Sequence, residues 1–247
     1  KAVGKGRVFY TSFGHRTELF WDPRLLQFYL DGVQFAAGDL DAPTEPRAER
    51  LARRVPGPTP PDVRAAKMKA GSVAEPTEDQ IKKIESAAPE RAPAKPAKPR
   101  KVLVWGHAWT HTPNAVAEEA LEILGTASGA FIAVISDNPR LLLIDHIGQF
   151  DAVVMNNIHE PEPFLPEDFA KLDDERKAAA KAFDAAVKKS ILDYVAGKDA
   201  NGRDVPGRGI VGIHAATAAF GGWAEYGEMM GGFYGGHIYQ DVAIKLD

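Results

Sequence analysis

Residues 209–217 read GIVGIHAAT, and this stretch decides the fold. Gly209 to Ile213 is apolar without alternation, so both faces of the strand it forms must be covered. Three other runs have the same character: Val102 to Trp105 (VLVW), Phe131 to Ile135 (FIAVI) and Ala152 to Met155 (AVVM). Helical patterns separate them. One opens at Thr112-Pro113 and is expected to end near Gly125. A longer one spans about Asp174 to Ala196, with Phe183, Val187, Ile191 and Val195 on one stripe and Gly197 as its stop. Buried strands alternating with helices predict an α/β domain, a parallel sheet with helices on both faces.

Upstream the chain changes character twice. Eleven of the 18 prolines fall between Pro43 and Pro99, in a segment rich in Ala, Lys, Arg and Glu and poor in aromatics. Such a segment cannot bury enough apolar surface to fold alone, and residues 41–100 read as a Pro/Ala/Lys-rich linker. Inside it, Thr77 and Gln80 make a capping-box pattern ahead of Ile81 and Ile84, which predicts a short helix. The run APAKPAKPRK before Val102 reads as an extended spacer. Before the linker, within residues 1–40, Arg7 to Phe13 (RVFYTSF) reads as a strand. Asp22-Pro23 then opens a helix carrying Leu25, Leu26, Tyr29, Leu30, Val33 and Ala37, with Gly38 as its stop. One strand and one helix are too little to stand alone, so residues 7–38 are expected to dock onto the sheet of the main domain, residues 101–247. Docking would bring His15 towards His214.

The bulk numbers exclude several functions. The chain has 247 residues, 45% hydrophobic and 26% charged, with a formal net charge of -4. No basic block points to a nucleic-acid partner. No apolar run approaches the roughly 18 residues of a transmembrane segment. Cysteine is absent, which removes disulfides, thiolate metal sites and thiol nucleophiles. The compartment stays open, as does a homo-oligomer.

In an open parallel sheet, ligands bind outside the carboxyl ends of the strands. The polar residues just past each strand are therefore the candidates. After the first stand His107, Trp109 and His111, and after the third Asn156, Asn157 and His159. His214 ends GIVGI, followed by Trp223, Glu225, Tyr226 and His237. His15 follows the N-terminal strand. A single histidine past a strand is more often a loop or capping residue than a catalyst; several converging on one edge change that balance. His107 and His111 have the spacing of a helical zinc pair but precede the helix. His146 lies in a helix-like stretch and reads as structural, Met229 and Met230 as core, and the acidic stretch His159 to Phe169 as a solvated surface loop, with a rim over the site as the alternative.

A strand running into Gly-Ile-His-Ala-Ala also resembles the nucleophile elbow of class I glutamine amidotransferases, with His214 where those enzymes carry cysteine. The longer stretch GRGIVGIHAATAAFGGWAEYGEMMGGFYGGH resembles the signature of the ThuA-like (trehalose-utilisation) domain family. KVLVWGHAWTHTPN resembles that family's first strand with its histidine, and FDAVVMNN its third strand with its asparagines. Residues 1–38 resemble the family's last strand and helix, so the two pieces stand in reversed order. That order is expected of the tail of one domain, a linker and the front two-thirds of the next; a circular permutation is the alternative. The resemblance implies a flavodoxin-like, glutamine-amidotransferase-like fold. It also implies a place in carbohydrate metabolism, binding or processing trehalose-type glucosides or their keto derivatives. His111, His214 and His237 are the expected catalytic residues. Asn157 and His15 are expected to bind the small-molecule sugar, with Trp109, Trp223 and Tyr226 stacking on its ring. A divalent metal is left open. A non-catalytic sugar-binding or scaffold module and a metal-dependent hydrolase are the alternatives.

Overall fold

The computed structural model describes residues 1–44, 75–106, 113–166 and 168–235. In chain order its elements are β1 (Ala2–Val3), β2 (Gly6–Thr11), α1 (Pro23–Ala37), α2 (Glu78–Ala87), β3 (Lys101–Trp105) and α3 (Asn114–Ser128). There follow β4 (Ile132–Ser136), α4 (Ile144–Ile147), β5 (Ala152–Asn156), α5 (Asp174–Ala196), β6 (Gly209–Ile213) and α6 (Ala224–Met230). The sheet order is β1-β2-β6-β5-β3-β4, and every neighbouring pair is parallel except β1 with β2. Counted from β3, the five parallel strands take the 2-1-3-4-5 order of a flavodoxin-like fold, with β2 as the fifth. The fifth strand thus comes from the chain's N-terminal part.

Alternate side chains of the central strands feed two cores. Leu103, Trp105, Val153, Met155 and Ile210 pack with Val187, Ile191, Tyr194 and Val195 of α5. Val102, Val104, Val154, Val211 and Ile213 pack with Leu26, Tyr29, Leu30 and Val33 of α1 and with Val116, Leu121 and Leu124 of α3. The helices therefore lie on both faces, as the continuous apolar strands require. Among the described residues no helix is long and apolar enough to cross a membrane.

Two expectations need correction. The strand foreseen at Phe131 to Ile135 runs from Ile132 to Ser136 and forms the outer edge beside β3. With no second strand neighbour among the described residues it leaves Ile132 68% exposed, so its apolar run is not evidence of burial there. The helix after β3 does not end near Gly125; it continues to Ser128 and stops at Gly129 in the left-handed conformation, φ 67°. Gly125 serves close packing instead, because a Cβ there would lie 2.5 Å from the Phe131 carbonyl oxygen.

The N-terminal unit docks as expected. Val8, Phe9, Tyr10 and Thr11 stand beside Ile210 to Ile213 in parallel register, and α1 covers the same face. The Thr77–Gln80 capping box is present and starts α2. The spacer that follows does not stand clear of the domain. Gln34 and Ala94 exchange two hydrogen bonds, at 2.6 and 3.0 Å. Arg100 then bridges Asp39 at 2.5 Å and Asp151 at 3.1 Å, with Asp39 almost fully buried. Proline-rich sequence cannot make a core, but its carbonyl and amide groups can be satisfied on one already built.

Candidate functional site

The carboxyl ends of β2, β6, β5 and β3 line up along one edge of the sheet. Two strands end there in residues with positive φ that are not glycine: Asn157 at 53° after β5 and His214 at 48° after β6. They are register neighbours, since the Asn157 amide donates to the Ile213 carbonyl at 3.3 Å. Left-handed backbone at such residues costs about 1–3 kcal/mol and persists only where surrounding contacts over-determine it.

Those contacts are present at His214. The Tyr10 hydroxyl, itself accepting from Thr217 Oγ1 at 3.0 Å, donates to the His214 carbonyl at 2.9 Å. The imidazole Nδ1 lies 3.0 Å from the Ser12 carbonyl oxygen. A carbonyl only accepts, so Nδ1 carries the proton and Nε2 is the acceptor nitrogen of the neutral ring. Half-buried His214 is therefore aimed from both sides, by backbone hydrogen bonding and by its own ring. Burial pushes the Tyr10 hydroxyl pKa above its ordinary value, against the effect of Thr217, so Tyr10 stays a donor.

The loop after β2 completes this half of the site. Gly14 lies so close that a Cβ would fall 2.8 Å from both His214 Cβ and Ile213 Cγ2. This approach sets the exposed His15 edge-on to His214, with ring centroids 5.0 Å apart. Asn157, fully buried, donates through Nδ2 to the Gly14 carbonyl at 3.3 Å. Its Oδ1 has no partner among the described residues.

The structure thus joins His15, Asn157 and His214. His107, Trp109, His111 and His237 lie outside the described residues. Trp223 and Tyr226 require a correction as ring-stacking groups. Tyr226 is fully buried and its hydroxyl donates to the Ala216 carbonyl at 2.8 Å. Trp223 is stacked against Tyr226 and set edge-on to Phe220. Both are core residues because α6 folds its apolar side under the turn led by His214. Met229 and Met230 are core, as expected. His146 and His159 are exposed, His146 on α4 and His159 after β5, and Phe164 anchors the acidic loop against Trp105 and Phe220.

Sequence reading missed Glu118. It sits in the second turn of α3, whose start follows β3, so it lies at the same edge of the sheet. Its carboxyl is near Gly106 and accepts from the Asn156 amide. Burial first, then the negative charges of Glu75 and Asp137, push its pKa up to about 7 despite the Asn156 hydrogen bond. The available signal was topological: a helix that starts just after a strand presents its first turns at the ligand edge. Among the described residues no group of three His, Asp or Glu side chains is arranged to hold a metal ion. Comparison with protein-family models, curated proteins and solved structures gave no match.

Proposed function

We propose that this chain is a ThuA-like domain acting in carbohydrate metabolism, binding or processing a trehalose-type glucoside or its keto derivative through a histidine-based site. The observation that carries the reading is the strained, anchored turn at His214, with His15 brought against it from the N-terminal strand. A histidine held in a left-handed turn with its Nδ1 committed to a carbonyl offers Nε2 to a substrate proton. The signature around His214 and the asparagines at the end of β5 support the same reading by resemblance.

Calorimetry with trehalose and keto-trehalose, followed by a turnover assay on whichever binds, tests it. Binding with turnover supports an enzyme, and binding without turnover a sugar-binding module. No binding of either sugar overturns the sugar reading.

A further inference from the structure

The half of the sheet edge away from His214 carries a second polar group built into the fold. A Cβ on Gly106, the first residue past β3, would stand 2.6 Å from Glu118 Oε1, so glycine at this position makes room for the carboxyl. Asn156, at the end of the adjacent β5, donates to that carboxyl and also through Nδ2 to the Asn114 carbonyl at 3.2 Å. These bonds orient the amide and leave Asn156 Oδ1 buried with no partner among the described residues. A buried acceptor without a donor is rare and calls for a structural or functional explanation. Glu118 itself is half-buried, and among the described residues the charged groups acting on it, Glu75 and Asp137, are both acidic.

We propose that Glu118 is the proton-exchanging carboxyl group of the sheet-edge site, working across a bound substrate from His214. The inference rests on the sugar reading for its choice of substrate. β3, β5 and β6 are consecutive neighbours, so the groups at the ends of β3 and β6 stand about two strand spacings, roughly 10 Å, apart. The carbon beside a carbonyl and the carbonyl oxygen are two bonds apart, so a base and an acid each about 3 Å from them stand roughly 8–9 Å apart, comparable with that spacing. With a keto sugar the step is enolisation. His214 Nε2 takes a proton from the carbon beside the carbonyl, and the C–H pair becomes the new C=C bond. The carbonyl π pair takes the Glu118 proton as an O–H bond. Glu118 ends as carboxylate and His214 as imidazolium, with no oxidant or reductant required. The raised pKa of Glu118 agrees with this use, since its carboxyl holds a proton near neutrality.

The test uses the full chain in two arms. In D2O, exchange of the carbon-bound hydrogen beside the carbonyl of keto-trehalose is followed by NMR. Glu118→Gln is expected to slow it by about 100-fold while calorimetric binding is kept; a variant as fast as the parent overturns the proposal. In the second arm a diazo ester, which esterifies only protonated carboxyls, is applied at pH 7 without sugar, and peptides are mapped by mass. Glu118 is expected to label at least tenfold faster than other carboxyls, and an unlabelled Glu118 overturns the proposal whatever the sugars do. If the parent chain neither binds nor exchanges keto-trehalose, the sugar reading falls and the labelling arm alone decides Glu118.

Discussion

His15 and His214 come from opposite ends of the chain and stand edge to face, ring centroids 5.0 Å apart with their planes at 82°. The contact exists because β2 closes the sheet beside β6, and the loop after each strand delivers one ring to the same edge. The N-terminal strand therefore supplies half of the candidate site as well as covering an open sheet edge.

His214 makes the site's strain measurable. His214→Ala should abolish sugar binding or turnover and leave the far-UV circular dichroism unchanged. His214→Gly should be equally inactive yet more stable than the Ala variant by about 1 kcal/mol, because glycine adopts positive φ without a Cβ penalty. Urea denaturation of the pair reads this directly. An Ala variant at least as stable as the Gly variant would mean that the turn carries no strain.

The turn holds histidine where the amidotransferase elbow it resembles holds a thiol, and the chain contains no cysteine. Acyl transfer from glutamine through a thioester is therefore closed to it. Ammonia release from glutamine should not exceed that of a heat-denatured control; a reproducible excess contradicts this expectation.

Glu118 predicts a pH dependence of stability. Its pKa in the folded protein, about 7, lies above its ordinary value of 4.5. The folded state thus holds the proton after the unfolded chain has released it. The stability it contributes is present below about pH 4.5 and is lost as pH rises towards and through about 7. Glu118→Gln removes that loss. Its stability relative to the parent should climb between pH 5 and 7.5 by ~1–2 kcal/mol, a figure reduced for the solvent that reaches a half-buried group. A difference that stays flat across this range refutes the shift.

Arg100 fastens the end of the proline-rich segment to the domain. Asp39 is almost fully buried against it, and Asp151 accepts from the same guanidinium. Arg100→Met should cost about 3 kcal/mol, since removing one partner of a buried pair strands the other charge. Arg100→Met combined with Asp39→Asn should recover part of that loss. A double variant destabilised by the sum of the single changes, or by more, would show that the two residues are not coupled as described.

Sequence alone determined the layer architecture, because strands buried on both faces must be continuously apolar and the runs at Val102, Ala152 and Gly209 are. It also determined α2, whose Thr77–Gln80 capping box is a local arrangement needing no distant partner. It placed His15, Asn157 and His214 just past strand ends, which in a parallel sheet is the ligand edge. Local pattern could not tell an edge strand from a central one, so Ile132 was read as buried. Nor could it show that Trp223 and Tyr226 turn under the His214 elbow rather than out to solvent. Glu118 was equally hidden: in AEEAL, at residues 117–121, it looks like any solvated helical carboxylate. Only the tertiary structure sets it against Gly106, at the end of the preceding strand, and Asn156, on the strand beyond, and burial there changes its chemistry. Periodicity records how each residue meets its own element; desolvation and hydrogen bonding depend on which other elements arrive, and that is settled only when the sheet closes.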